Sequence, residues 1–360
     1  MELKIQGVFL SLLHSILYRK NKAPKNLLIF RTGSLGDSIC SIPTINSIRA
    51  QYPDAQIDIL TNCGASHLVG LKQLLPLQHF REVIDYSGYG KKTLIQLLRS
   101  RNYDMVIQLP QVDAGFVSLL RDLFVFRLVA NRGWGWQKSQ STLFRQTQAR
   151  RLVYINETER LLKLASQNGI KTTAFKPFLE SAENSKNEAQ QFLQEKGLGI
   201  DTPMIALVTG SKRPQNRWPI PYFKEVAAHF SSRYRIILIG SGDEAALVKP
   251  LLDIPNAIDA CGKLSPLGSA ALIKFCQLTI SNDTGPMHLS YAVGTPTIAV
   301  FSSRDLPGKW YPPSHPDHKV FRAEGIPCEG CFSETCNNNI CMQAIAPATI
   351  IAAAKELLRV

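Results

Sequence analysis

The chain has 360 residues, 45% apolar and 19% charged, a globular composition long enough for two cores of ordinary size. Its 41 Lys and Arg against 28 Asp and Glu leave a net charge of +13, spread along the chain without a Lys/Arg block. That excess suits acidic small molecules or an anionic surface. With no basic stripe interleaved with aromatics, it excludes a dedicated nucleic-acid arm.

Residues 1–25 form an amino-terminal extension. Gly7–Tyr18 is an apolar run followed by Arg19, Lys20, Lys22 and Lys25, shorter than the ~18 apolar residues a membrane span needs. Glu2 beside Lys4 and the lack of a small-x-small cleavage site argue against a signal peptide. An apolar helix with a basic flank reads as an interfacial anchor on an anionic leaflet. It reads equally as an ordinary helix capping the first domain.

From Asn26 short apolar runs alternate with helical patterns. Strands are expected at Leu27–Phe30, Ile57–Leu60, Val83–Tyr86 and Met105–Leu109. Helices are expected from Ser38 to Gln51, from Ala65, over Thr93–Arg101 and over Val117–Phe126. Such alternation implies a parallel sheet covered on both faces. Gly133 to Arg151, with Trp134, Trp136, Lys138, Arg145, Arg150 and Arg151, breaks the rhythm and reads as a loop or lid. Asn156–Gly169 is again helical. Lys171 to about Pro203, with a helix around Asn187–Lys196, reads as the inter-domain connection. The rhythm restarts with strands at Ile205–Thr209, Ile236–Ile239, Ala257–Ala260, Leu278–Ile280 and Thr297–Phe301, the last closing the set. Helices at Pro221–Phe230 and Leu267–Cys276 lie between them, and a further helix follows Asp283. The expected domains are thus 26–180 and 200–345, with a carboxyl-terminal helix in 346–360 packing back on the first domain.

Ligands of parallel sheets bind at the strands' carboxyl ends, which singles out four turns. In the first domain Gly33-Ser34-Leu-Gly36-Asp37 sits between strand and helix; it lacks the Lys of a Walker loop. Asp37 would face the crevice as a functional carboxylate or merely cap the helix. In the second domain, Thr209–Trp218 offers the hydroxyls of Thr209 and Ser211 and the cations Lys212, Arg213 and Arg217, suited to phosphate oxygens. Gly240–Glu244 places Glu244 where it could accept bonds from ribose hydroxyls. Asp283–His288 opens a helix at Pro286, and N–H groups around Thr284, Gly285 and Met287 would form an anion site with His288 beside it. Together these loops describe a nucleotide-diphosphate pocket.

Cys40, Cys63, Cys261 and Cys276 are scattered through apolar or turn stretches, as in a reducing compartment. Cys328, Cys331, Cys336 and Cys341 fall within 14 residues. That grouping suggests a structural zinc, free thiols or disulfides, although the paired CxxC spacing of zinc ribbons is absent.

The chain resembles glycosyltransferase family 9, the lipopolysaccharide heptosyltransferases, over roughly residues 26 to 355. The resemblance rests on Arg31-Thr-Gly-Ser-Leu-Gly-Asp37, Pro43, Tyr52–Leu60, Tyr103–Ile107 and Arg160–Leu164. It continues through Lys212, Arg217-Trp-Pro219, Asn282-Asp-Thr-Gly-Pro-Met-His288 and Gly294-Thr-Pro296. It implies a GT-B fold of two Rossmann-like parallel-sheet domains facing a central cleft. It also implies inverting, metal-independent transfer from a nucleotide-diphosphate sugar, an ADP-sugar above others, with Asp37 as general base. The acceptor would be lipid-linked or a polysaccharide, and the enzyme cytoplasmic and peripheral at the inner membrane surface. The extension at 1–25 and the stretch around 134–151 depart from the family pattern. Two rivals remain: a nucleotide-sugar epimerase of the same architecture, and a non-catalytic nucleotide-sugar binder at the membrane. A carboxylate facing the pocket, Asp37, speaks against the second.

Overall fold

The computed structural model describes residues 2–19, 23–62, 70–111, 114–136, 144–146, 152–173, 176–179 and 182–360. It divides into two compact units, Met1–Ala174 and Phe175–Val360.

The first unit carries helix α1 (Glu2–Leu17), then β1 (Asn26–Phe30), α2 (Leu35–Gln51), β2 (Gln56–Thr61), α3 (Leu71–Leu74) and β3 (Glu82–Asp85). It continues with α4 (Lys91–Ser100), β4 (Met105–Gln108), α5 (Phe116–Arg127), β5 (Gly133–Trp134), a β6–β7 hairpin (Phe144–Gln146, Leu152–Tyr154) and α6 (Glu157–Gln167). The main sheet is parallel in the order β3-β2-β1-β4-β5. Leu27, Leu28 and Ile29 on β1 and Met105, Val106 and Ile107 on β4 are fully enclosed, as strands covered on both faces must be. Helix α2 turns Ile39, Ile42, Ile45 and Ile48 inward and packs on α6. Asn156 caps α6, its Oδ1 accepting from the Thr158 and Glu159 amides at 2.9 and 3.2 Å, which satisfies donors the helix itself cannot.

One expectation for this unit is corrected, and of the two readings of the extension the helix belonging to the unit is the one seen. The stretch read as a lid begins with an edge strand, because Gly133–Trp134 pairs with β4. Trp134 and Trp136 are buried: Tyr18 stacks on Trp136 at 4.5 Å, so two bulky rings are spent on packing. Lys138, Arg150 and Arg151 lie outside the described residues, as do Cys63 and the start of the helix expected from Ala65. The extension is a true part of the unit. Helix α1 buries Leu10, and Tyr18 just after it is also buried, its hydroxyl donating to Leu123 O at 2.7 Å.

The second unit contains α7 (Glu183–Glu195), β8 (Met204–Val208), α8 (Ile220–Phe230), β9 (Arg235–Leu238), α9 (Ala245–Val248), β10 (Ala257–Asp259) and α10 (Pro266–Phe275). After these come β11 (Leu278–Asn282), α11 (Gly285–Val293), β12 (Thr297–Phe301), β13 (His318–Arg322), α12 (Ile340–Gln343) and α13 (Pro347–Leu358). Its sheet is parallel in the order β10-β9-β8-β11-β12-β13. Strand order therefore reverses beside β1 in the first unit and beside β8 in the second, and ligands of doubly wound sheets bind at such switch points.

Three more expectations change here. The set does not close at β12, since β13 pairs with it in register His318↔Thr297. All five β13 residues are only half-buried, so no apolar run announced the strand. Helix α7, read as part of the connection, packs on α10 within this unit. The terminal helix α13, expected on the first domain, packs on α8, β11 and β12. It buries Ile350 and Ala354 there, in a core that also holds Trp218, whose Nε1 donates to Ile345 O at 2.9 Å.

Candidate functional site

In the first unit the chain leaves β1 through Arg31 and turns at Gly33, whose φ of +140° belongs to the region glycine favours. A Cβ on Gly33 would collide with Asp37. Asp37 is the third residue of α2 and Ser34 is its N-cap. The Ser34 amide and hydroxyl both donate to Asp37 Oδ2 at 3.0 Å. The Arg31 guanidinium reaches Asp37 Oδ1 at 3.4 Å. Arg31 is itself fixed by Glu157 Oε1 at 3.1 Å and by the Leu109 and Pro110 carbonyls, while Glu157 also pairs with Arg160 at 2.7 Å. Burial opposes the charge on Glu157, but Arg160 and Arg31 outweigh it and hold the carboxyl below its ordinary range. The capping and functional readings of Asp37 are therefore not exclusive. The helix start holds the carboxylate in one place, and 14% of its side chain stays accessible.

In the second unit Asn282, fully buried at the end of β11, joins the two loops that meet at the switch point. Its Oδ1 accepts from the Trp218 amide at 2.9 Å and its Nδ2 donates to Thr209 O at 2.7 Å. Thr209 Oγ1 is buried without a hydrogen-bond partner, an uncommon condition for a hydroxyl. The Ser211 hydroxyl donates to Asp283 O at 3.0 Å, and Arg217 Nε donates to Ser211 O at 3.0 Å. Both thus brace the loop. Lys212 is exposed and makes no ion pair among the described residues. Glu244 accepts from the Ser241 amide at 2.9 Å, and its carboxylate lies so close to Gly210 that any Cβ there would overlap it. The second loop is thereby brought to the first.

No side chain caps α11 at Thr284. The Met287 amide, expected to be open, closes the first turn on Thr284 O at 3.1 Å, so the amide of Gly285 carries the anion-binding potential of this end. His288 is core-packed: Nδ1 meets the Tyr291 hydroxyl at 2.9 Å, and burial lowers its pKa to about 4, leaving it neutral at pH 7. Asn216 Nδ2 donates to Asp283 Oδ2 at 3.2 Å. Enclosure of the Asp283 carboxyl, with Asp305 nearby, raises its pKa to about 7 against the pull of Arg213, Lys309 and Arg304.

A fourth loop, after β12, escaped the sequence reading. Arg304, Lys309, Trp310 and Tyr311 line a small cavity with Arg213 and Asp283, and the Ser302 hydroxyl donates to Asn216 Oδ1 at 2.8 Å. The signal was present: Ser302-Ser-Arg304 follows a strand as Thr209-Gly-Ser211 follows β8.

The zinc expectation is not supported. Among the described residues no three His, Cys, Asp or Glu side chains converge to hold a metal. Cys331 and Cys336 are exposed while Cys341 is buried, and all four thiols are free. The Cys336 sulfur instead accepts from the Asn339 amide at 3.2 Å.

Among known proteins, the family model for glycosyltransferase family 9 (heptosyltransferase) matches residues 92–341. Lipooligosaccharide heptosyltransferase 2 of Haemophilus influenzae is 25% identical over 298 residues, covering 77% of this chain and 83% of that protein. A family 9 glycosyl transferase structure from Veillonella parvula superposes with a TM-score of 0.71 at 22% identity, over 95% of this chain and 99% of that one. E. coli ADP-heptose lipopolysaccharide heptosyltransferase II gives 0.66 at 22% identity, over 92% and 98%; these two show a shared fold. Two parallel-sheet units of the GT-B kind, and a family match spanning more than half of the sequence, show that the chain belongs to glycosyltransferase family 9 and is a glycosyltransferase.

Proposed function

We propose that the chain is an inverting, metal-independent heptosyltransferase that moves heptose from ADP-heptose to a lipopolysaccharide-core acceptor at the inner face of the cytoplasmic membrane. The observation that carries the donor half is the Asn282 clasp. It ties the Thr209 carbonyl to the end of β11 just before the uncapped start of α11. The Thr209 hydroxyl is buried without a partner among the described residues, and the same loop carries Lys212, which makes no ion pair among them. A buried hydroxyl, a lysine and a helix amino end together suit a diphosphate. The sugar and acceptor class are supported by the relatives, which are lipopolysaccharide and lipooligosaccharide heptosyltransferases, among them the ADP-heptose enzyme of E. coli.

In this reading Asp37 takes the proton from an acceptor hydroxyl as that oxygen forms a bond to the anomeric carbon. The bond from that carbon to the diphosphate oxygen breaks on the opposite face, and the electron pair leaves with ADP. Lys212 and the Gly285 amide at the start of α11 stabilise the charge on the departing diphosphate, so no second carboxylate need protonate it.

Calorimetry with ADP, GDP, UDP, dTDP and CDP tests the pocket: ADP is expected to bind alone or most tightly. Lys212→Ala should weaken ADP binding. Asp37→Ala should leave ADP binding intact and lower the transfer rate by about 10²–10⁴. No binding by any nucleotide would sink the donor assignment, and near-normal turnover by the Asp37 variant would sink the general base.

A further inference from the structure

Helix α1 buries one side and leaves the other bare. Ile5, Val8, Phe9, Leu12 and Ile16 recur at helical spacing on the open side, with Val8 69% and Ile16 71% exposed. The other described exposed side chains of α1 are two serines, Ser11 and Ser15. Helix α5, in contact through Phe9 and Phe116 at 6.1 Å, adds Val117 and Phe124, and Leu128 follows at its end. The only acid of α5, Asp122, is buried against Gln108 and Arg121. So large an apolar face calls for a partner.

Charge identifies the partner. At the carboxyl ends of α1 and α5 lies an open cavity of 780 Å³ whose wall includes Arg19, Arg99, Arg127, Arg132 and Leu128. Arg19 is held beside Arg132 by a backbone bridge. Arg127 Nε donates to Leu17 O at 2.8 Å, tying that cation to the end of α1. The one carboxylate in the wall, Asp104, is already taken by the Lys25 and Asn26 amides at 2.7 and 2.9 Å and by Arg132 at 3.3 Å. Asn102 and Asn131 place this cavity at the amino ends of β4 and β5, the edge of the sheet opposite Asp37. It is therefore separate from the crevice that follows β1.

We propose that the α1–α5 face docks on an anionic bilayer, with the apolar stripe in the headgroup boundary and the arginine cavity on lipid phosphates. An apolar helix face ending in a cation cluster is the arrangement that binds such a surface, and guanidinium forks fit phosphate oxygens. A second copy of the chain is a poorer partner, since its matching face carries the same arginines and, among the described side chains, no unpaired carboxylate to meet them. The proposal rests on the reading of an enzyme that works at a membrane, and gives that reading a surface.

The test is co-sedimentation of the full chain with vesicles of phosphatidylcholine, alone or mixed with phosphatidylglycerol, at low and high salt. Binding is expected only with phosphatidylglycerol, weakening as salt rises. Arg19→Glu with Arg99→Glu should reduce it by roughly tenfold or more, as should Val8→Glu with Ile16→Glu; ADP binding and Tm of each variant report folding independently. Vesicle binding by wild type that neither pair of changes weakens would overturn the proposal. So would no binding at all, or a wild-type dimer in light scattering that the Val8/Ile16 variant makes monomeric. Transfer to a delipidated, soluble acceptor separates the two readings. If it proceeds while vesicles are not bound, the docking face is wrong and the enzyme assignment stands; bound vesicles with no transfer give the reverse.

Discussion

Arg31 shows how one side chain ties chemistry to fold. Fully enclosed, it spans Asp37, Glu157 and two carbonyls, and a buried charge survives only when it is paired in this way. The result is an Asp37 carboxylate held in one place by a buried network. In the second unit the buried His288 and the half-buried Asp283 have opposite consequences for stability. His288 has a folded pKa of about 4 against 6.5 for the free side chain. The unfolded chain binds the extra proton between those values, so stability is lost as pH falls through that window, by about 3 kcal/mol. Asp283, raised to about 7 from 3.8, keeps its proton in the folded state, and its contribution is lost as pH rises from 3.8 through 7. The two slopes oppose each other over the same interval, so their contributions to the pH profile of Tm largely offset between pH 4 and 6.5. His288→Asn should make Tm fall as pH rises across that interval, and Asp283→Asn should make it fall as pH drops. Melts of the three proteins at half-unit steps decide the matter; parallel profiles would show that neither group titrates as assigned.

Between elements, the loops after β8 and β11 are held less by helices than by Asn282. Asn282→Ala would strand the Trp218 amide and the Thr209 carbonyl, each buried, at a cost of about 1–3 kcal/mol per group. The fold should survive with a lowered Tm, because β11 keeps its ladder to β8 and β12. ADP affinity should fall by more than Lys212→Ala alone produces, since all of the Thr209–Trp218 loop is released. Unchanged ADP affinity in a protein with a lowered Tm would mean that the clasp serves only the core. The same loops explain what the sequence could reveal. β8 and β11 are buried on both faces. Met204–Val208 is an unbroken apolar run and Leu278–Asn282 keeps Leu278 and Ile280 among small polar residues, and the turns after them were readable as ligand loops. β5 and β13 are edge strands. Gly133–Trp134 is two residues long and His318–Arg322 is polar and half-buried, so period and composition gave no sign of either, and the loop between β12 and β13 went unread with them. The spacing of the four cysteines left a structural zinc, free thiols or disulfides open. Among the described residues no three His, Cys, Asp or Glu side chains converge on a metal, a three-dimensional property that spacing does not show.

At the scale of the molecule, each unit builds the same sheet order around its own switch point, yet neither is finished by its βαβ repeats alone. The first is completed by α1, which seats Tyr18 on Trp136. The second is completed by α13, whose Ile350, Ala353 and Ala354 enter the core formed by Ile280, Ile298, Trp218 and Phe223. A terminal helix joined to the rest by so short a link as Ala344–Ala346 could in principle have gone elsewhere, and the sequence pattern by itself had suggested the first unit. Burial decides against that. Removing residues 347–360 would open one side of β11 and β12 to water and leave the Trp218 indole, bonded to Ile345 O, at a new surface. Losing an isoleucine from a core alone costs about 2–5 kcal/mol, and the helix carries more than that one side chain. The truncated protein should therefore show fast amide exchange through β8, β11 and β12, weakened ADP binding and a lower melting transition. Amides of β1, β2 and β4 in the first unit should stay protected. Exchange mass spectrometry reads both units in one experiment. Were protection lost in β1 and β4 and kept in β8 and β11, the helix would have to be assigned to the first unit after all.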